Sequence, residues 1–328
     1  MRMLETRSYS SGSYSSGSPG TRAFIREILS LYRGYAKGIA ERVRASIEDV
    51  QRVETCVRER FGMELTSKCI LEVGPGQFLG QMTYLAQRNH VIGVDRDLIV
   101  HRGSPLDYIK MLKYNGARRT VKTIARKLLR VDAKYAAELR KCPNLERASK
   151  LTVFKMDVRD LKFPRNSFDF VYSRSVLHSL PNPDVALDQI VRVVRPGGVV
   201  YILIHLYSSP TGSLDPRVYT DRRNELNAWP HLRPKLLHTV AAPNVYLNKL
   251  RLSQWLTLFA ERMPGVECTL RRGDDSTLES VARILQSEGE LAEYSLDELL
   301  TFEIVALWRK PPMPAAIDPA DAVVAAGM

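Results

Sequence analysis

The stretch ILEVGPGQFLG, residues 70 to 80, decides how the rest of the chain is read. Ile70 to Val73 is an apolar run broken once, by Glu72, and Gly74-Pro75-Gly76 follows at once, the pattern of a buried strand entering a tight glycine turn. In a parallel sheet such a turn lets a ligand approach the backbone beyond the carboxyl end of the strand. A turn built for pyrophosphate gains nothing from a carboxylate two residues before its first glycine. A dinucleotide fingerprint G-x-G-x-x-G starting at Gly74 would also need glycine at position 79, where the chain has Leu79. A ligand carrying positive charge suits Glu72 better than a phosphate does.

Outward from that turn, short apolar runs alternate with helical stretches. Strands are expected at 69–73, 90–95, 151–156, 168–173 and 199–206, and helices near 78–88 and 184–195, with RPGG at 195–198 punctuating the helix before the fifth strand. Farther on, 252–263 reads as a helix, and 266–271 and 302–309 read as closing strands. Upstream, Phe24, Ile28, Leu31, Ile39, Val43, Ile47, Val50 and Val57 recur at helical spacing, so 21–61 is an N-terminal helical segment that Gly62 ends. The whole is an α/β chain, doubly wound about a mostly parallel sheet, with its main domain over 62–310. Two gaps, 98–150 and 208–250, are too long to be simple connections and are expected as insertions with structure of their own. Residues 1–20, where YSSGS repeats, and 311–328, rich in Pro and Ala, are expected as a disordered and a flexible tail.

Other residues fall where a ligand would meet the sheet. Asp95 closes the second strand and suits a ribose diol, whichever nucleotide carries it. Asp157, in FKMDVRDLKF, closes the third, where a carboxylate can accept from an adenine amino group. S-adenosylmethionine has a sulfonium and an ammonium but no phosphate, which makes Glu72 favourable. Then FDFVYSRSVLHSLPNPDVALDQIVRVVRPGGVVYILIH, 168–205, supplies a strand, a loop, a helix, a proline-glycine turn and a strand.

With Glu72, Gly74, Gly76, Asp95, Asp157 and RPGG in that order, the chain resembles the class I S-adenosylmethionine-dependent methyltransferases. The resemblance covers roughly 67–205 apart from the first insertion, and more loosely 251–310. It implies a Rossmann-like, seven-stranded sheet with a reversed last strand, and S-adenosyl-L-methionine as cofactor. It further implies that Glu72, Gly74 and Gly76 form the cofactor loop, that Asp95 binds the ribose, that Asp157 with Val158 holds the adenine, and that Ser173 and Arg174 floor the methyl-donor pocket. Phe78 stands where many members have a third glycine.

Methyl transfer is a displacement at an activated carbon, so positioning does much of the work, and a general base is needed only for a poorly acidic hydroxyl or a protonated amine. His205 and Tyr207 end the fifth strand and His178 follows the fourth. His205 and His178 are the candidate catalytic residues, against the alternative that each serves local packing. In the second insertion, NAWPHLRP places Trp229, His231 and Arg233 where, with Tyr207, they could offer a substrate a stacking face, a proton acceptor and an anion clamp; the alternative is a surface loop anchored by its tryptophan.

The formal charge of +12 suggests an anionic partner. Residues 101–150 hold 14 Lys and Arg against four Asp and Glu, so the excess belongs almost entirely to the first insertion. There RRTVKTIARKLLRV sets Val121, Ile124, Ala125, Leu128 and Leu129 on one helical face and Arg119, Lys122, Arg126 and Arg130 on another. Three readings follow, in order: a helix packed on the core with a solvated basic face, a surface at 118–130 that meets an anionic membrane or a lipid-linked substrate, and an RNA-binding patch. RNA ranks last because the base-amine methylation motif of the family is absent after the fourth strand, where the chain reads SRSV, and aromatic residues are sparse among the basic ones. The four scattered cysteines suggest neither zinc nor disulfides, and with no apolar run near ~20 residues the expectation is a cytoplasmic chain, peripheral at the membrane if at all. The function expected is O-methylation of a small or lipid-linked hydroxylated metabolite, such as a sugar or secondary metabolite. Its rivals are an RNA methyltransferase and a cofactor-binding scaffold without chemistry.

Overall fold

The computed structural model describes residues 38–100, 104–142, 145, 151–215, 217, 227–240, 245–273 and 276–312. The expected tail at 1–20, the first part of the N-terminal helical segment and all but two residues of the 311–328 tail lie outside them.

Cys69–Val73 forms β1, with Ile70 and Leu71 fully buried on opposite faces, as expected of a strand covered by helices on both sides. It pairs in parallel with β2 (His90–Asp95) and with β4 (Phe168–Arg174). β3 (Thr152–Lys155) extends the sheet beyond β2, and β5 (Val194–His205) extends it beyond β4. β7 (Thr301–Arg309) runs antiparallel to β5 and to β6 (Glu267–Arg272), which completes seven strands in the order β3-β2-β1-β4-β5-β7-β6. The reversed last strand is therefore present. Strand order turns around between β1 and β4, the place where a doubly wound sheet opens a crevice for a ligand.

On one face, α1 (Ile39–Phe61) and α2 (Gly80–Leu85) cover Ile70, Phe170, Val199 and Leu307. Val43, Ile47, Val50, Val53 and Val57 line the buried side of α1, and Gly62 closes it in the left-handed conformation, φ 61°, with its N–H on the Arg58 carbonyl. On the other face, α5 (Pro183–Val193) and α6 (Leu252–Arg262) pack Leu187, Ile190, Trp255 and Phe259 over Leu71, Val171 and Ile202. RPGG proves to open β5 itself: Gly197 has φ 76°, and a β-carbon on Gly198 would stand 2.9 Å from the Asp169 carbonyl.

The first insertion contains α3 (Pro105–Leu128), bent at Gly116 (φ 80°, ψ 165°), and α4 (Val131–Leu139). Its expected orientation is corrected. The buried positions of α3 are Met111, Thr120, Thr123 and Arg126, while Val121, Ile124 and Leu128 face outward. Arg126, assigned to a solvated basic face, is buried, with Nε 2.6 Å from Asp132 and its guanidinium 5.1 Å from the centre of the Phe78 ring. Arg119, assigned to the same face, pairs with Asp97. The apolar period did identify one side of the helix, but a buried cation with its own carboxylate and ring partners outcompeted it for the inner position.

Two helices were not expected from the sequence, α7 (Ser276–Ser287) and α8 (Leu296–Leu300). With Trp229 they form a satellite core containing Ala282, Leu285, Leu291 and Leu299. No described helix is long and apolar enough to cross a membrane.

Candidate functional site

The carboxyl ends of β1, β2, β4 and β5 converge on the turn that follows β1. Gly74 and Gly76 have φ 70° and 69°, a region that costs L side chains ~1–2 kcal/mol. A β-carbon on Gly74 would stand 2.3 Å from Val176 Cγ2, so the turn lies directly on the segment that leaves β4. Leu79 takes φ 54° without being a glycine, and Phe78 stacks on Tyr135 of α4 at 4.6 Å between ring centres. The third glycine of the family is thus replaced by a residue that binds the insertion. Gly80 is likewise covered, since its β-carbon would meet the Tyr135 hydroxyl at 2.2 Å.

Glu72 is 2% exposed, and its Oε2 has no hydrogen-bond partner. Burial pushes its carboxyl up to about 8. Ser173, at the end of β4, is also fully buried with an unpartnered hydroxyl. Arg174 reaches Asp49 of α1 at 2.6 Å, and its Nε is buried without a hydrogen-bond partner. Asp49 holds Arg52 at 2.6 Å as well. Asp49, Arg52, Gln81, Tyr135 and Arg174 border a cavity of about 490 Å³ above the glycine turn. Larger clefts of about 660 and 800 Å³ follow other flanks of α1, and one of about 770 Å³ lies by Gly62 and Arg309.

Burial raises Asp95 to about 6 against the opposing field of Arg119, and its Oδ1 accepts from the Asp97 N–H at 2.8 Å. Asp157 is already engaged within the chain. Its carboxylate accepts from the backbone N–H, Nε and Nη2 of Arg159 at 2.9, 3.0 and 2.7 Å, which occupies three of its ~four lone-pair sites. The hydrogen bonds from Arg159 hold it below the usual carboxylate range. Asp157 therefore caps the short turn at Val158–Asp160, with one lone-pair site left for an outside donor; Val158 itself is buried in the main core.

These residues fit S-adenosylmethionine. A buried carboxylate with an idle oxygen, kept protonated by desolvation, is relieved by an ammonium or sulfonium brought beside it. A bare glycine backbone and the Asp95 carboxyl provide for the nucleoside side. Phosphate has no comparable reason to sit against Glu72.

His205 ends β5 half-buried. Its Nε2 lies 2.9 Å from Ser175 Oγ and its Nδ1 lies 3.5 Å from Glu303 on β7. Register pairs His205 with Glu303 across the antiparallel strands, and Ser175 holds φ 61° where the chain leaves β4. Burial lowers the His205 imidazole, Glu303 raises it, and Arg174 lowers it again. Arg271 donates to the far oxygen of Glu303 at 3.2 Å. Neither Ser175 nor Glu303 stood out in the sequence: Ser175 is visible only as the serine one residue past β4, and Glu303 only once the β5–β7 register is known.

Four other expectations are corrected. His178 is 5% exposed, its Nδ1 accepts the His205 backbone N–H at 3.3 Å, and burial lowers it to about 3, so it is a neutral structural acceptor with no access to a substrate. Trp229 is fully buried in the satellite core with Nε1 on the Ser208 carbonyl at 3.1 Å, and offers no stacking face. His231 is buried with Nε2 2.8 Å from the Tyr207 carbonyl, and Arg233 is paired with Glu290 at 2.5 Å. Tyr207 is half-buried, its ring centre 5.3 Å from Lys249 Nζ. No group of three or more His, Cys, Asp or Glu among the described residues could hold a metal ion.

Comparison with known proteins points to methyltransferases. Residues 112–202 match the family model described as a methyltransferase domain. An uncharacterized chloroplastic methyltransferase of Arabidopsis thaliana is 36% identical over 72 residues, 22% of this chain and 20% of that protein. The ubiquinone/menaquinone biosynthesis C-methyltransferase UbiE of Nitrosospira multiformis is 39% identical over 59 residues, 18% of this chain and 24% of that one. The matches thus span about a fifth to a quarter of these curated relatives. Among solved structures, phosphoethanolamine N-methyltransferase 2 of Haemonchus contortus with S-adenosyl-L-methionine aligns at 16% identity and TM-score 0.43, over 79% of this chain and 52% of that chain.

Proposed function

We propose that this chain, which belongs to the class I S-adenosylmethionine-dependent methyltransferases, methylates a hydroxyl group that is deprotonated through Ser175 and His205. The observation that carries the reading is the series Ser175–His205–Glu303 at the carboxyl edge of the sheet, a hydrogen bond followed by a 3.5 Å imidazole–carboxylate contact, one residue from the Val176 contact with Gly74. When bound, the cofactor supplies a methyl carbon on a sulfonium, open to an oxygen nucleophile and released from a neutral thioether.

The chain's own residues do the rest. The Glu303 carboxylate, 3.5 Å from Nδ1 of His205, favours a proton on that nitrogen and so the tautomer whose Nε2 is an acceptor. The Ser175 hydroxyl donates to that Nε2, and its oxygen is left to accept a proton from a substrate hydroxyl placed above the glycine turn. As the substrate oxygen forms its bond to carbon, its proton passes to Ser175 and the Ser175 proton to His205. Because burial keeps the imidazole neutral near pH 7, the base is ready before substrate arrives. Glu72 and Ser173, deeper on the β1–β4 side, face the cofactor rather than the acceptor.

The same base could remove a proton from an activated carbon, and the 59-residue similarity to a C-methyltransferase supports that as the second reading. Labelled methyl donor, incubated with the protein and fractionated small hydroxylated metabolites, separates them: a methyl ether supports the first reading and a new carbon–carbon bond the second. His205→Asn is expected to lose about 10²–10⁴-fold in turnover with cofactor affinity retained. Undiminished turnover in His205→Asn would remove the relay from the mechanism.

A further inference from the structure

We infer that α3 is a docking surface for an anionic lipid bilayer, with aliphatic side chains entering the interface and lysines and arginines meeting the headgroups. Seven of the thirteen large hydrophobic side chains exposed among the described residues lie on this one helix. Before the bend at Gly116, Leu106 and Ile109 are 67% and 64% exposed; after it, Val121, Ile124 and Leu128 make an outward stripe at i, i+3 and i+7, with Leu128 77% exposed. A stripe of that kind on a solvated helix is unfavourable unless something covers it.

Charge identifies what covers it. The insertion that carries the stripe has an excess of ten positive charges, and Lys110, Lys113, Arg118 and Arg130 are exposed around the aliphatic residues. A second copy of this chain would bring the same charge against it, which opposes self-association through this face. Nucleic acid would meet the charge but leave the aliphatic stripe unmatched, since base stacking needs aromatic rings and Tyr114 is the one exposed aromatic on the helix. An anionic lipid surface satisfies both parts: aliphatic side chains enter the acyl boundary while basic residues remain at headgroup level.

The position of the helix gives such docking a consequence. Its inner face holds Arg126 against Phe78, and Arg119 pairs with Asp97 just past β2. The lipid-facing helix is therefore packed directly on the cofactor loop. This inference concerns the surface and stands whether or not the acceptor is a hydroxyl.

Cosedimentation of the full chain with phosphatidylcholine vesicles, with and without phosphatidylglycerol, tests it. Binding is expected only to the anionic vesicles and should weaken as salt rises. The double variants Leu106→Ser with Ile109→Ser, and Ile124→Ser with Leu128→Ser, should each lower vesicle affinity about tenfold or more per side chain removed. Lys110→Gln with Lys113→Gln should lower it and flatten the salt dependence. S-adenosylmethionine affinity, measured on the same variants, should be unchanged and shows that they remain folded. Failure of the wild-type chain to bind anionic vesicles at low salt overturns the proposal, as does retention of binding in the serine variants. A concentration-dependent dimer that those variants dissociate would assign the stripe to a second copy instead, and preference for RNA over vesicles at matched salt would assign the charge to nucleic acid.

Discussion

Glu72 is the residue on which the site turns. Its carboxyl is held near pH 8 by burial, so at neutral pH it is mostly protonated without ligand. A cationic ligand placed against it lowers that value, and binding should then release a proton. Calorimetric titrations with S-adenosylmethionine at pH 7, in buffers of different ionisation enthalpy, are expected to report release of up to about one proton, and Glu72→Gln should abolish it. His205 gives a second prediction at this scale. Its value lies below the ordinary 6.5, so kcat/KM should rise with pH to a plateau whose midpoint is under 6.5. Because Glu303 raises His205, Glu303→Gln should move that midpoint further down, an effect that a merely structural role would not produce.

At the scale of elements, two glycines with the same left-handed backbone have different tasks. Gly62 ends α1 at φ 61° with nothing within 4 Å of where a β-carbon would stand, so Gly62→Ala should cost about 1 kcal/mol of stability and leave cofactor binding alone. Gly74, at φ 70°, has Val176 Cγ2 2.3 Å from that position, so Gly74→Ala must displace either the turn or the end of β4. It should therefore weaken S-adenosylmethionine binding as well as lower the melting temperature, and equal effects of the two substitutions on cofactor affinity would contradict the assignment of the turn. Much of this level was legible in the sequence. β1 and β2 occupy the expected residues 69–73 and 90–95, because a strand buried on both faces must be a short apolar run bounded by turns. The helices α7 and α8 were missed because their apolar residues face a satellite core built with Trp229, which is distant in sequence.

For the whole molecule, buried ionisable groups set opposing pH trends. His178 and His231 are lowered to about 3 and about 4, so the unfolded chain binds protons that the folded one refuses, and stability falls as pH drops below 6.5. Glu72 and Asp95 are raised to about 8 and about 6, so the folded chain holds protons that the unfolded one has lost, and stability falls as pH rises above their ordinary values of 4.5 and 3.8. Between about 4.5 and 6 the pairs nearly cancel. Above 6.5 Glu72 acts alone among these four, and the cofactor-free chain should lose stability up to pH 8, by up to ~1.4 kcal/mol per pH unit. Chemical denaturation at pH 6.5 and 8 checks this: the loss should vanish in Glu72→Gln and shrink with S-adenosylmethionine present.

What the sequence determined by itself was the α/β alternation, the glycine turn with a buried carboxylate before it, and the positions of the strand ends around that turn. All of these are encoded locally, in runs of a few residues whose hydrophobic period and turn chemistry suffice. What only the tertiary structure decided was which polar residues are still available. Asp157 was taken by Arg159, His178 by the backbone of β5, and Trp229 by a satellite core, while Glu303 reached His205 through the register of an antiparallel pair. The orientation of α3 belongs to the same class: its amphipathic pattern was plain, but the inner side was settled by the Asp132 carboxylate and the Phe78 ring that bury Arg126. Partners distant in the chain compete for each side chain, and that competition has no local signature.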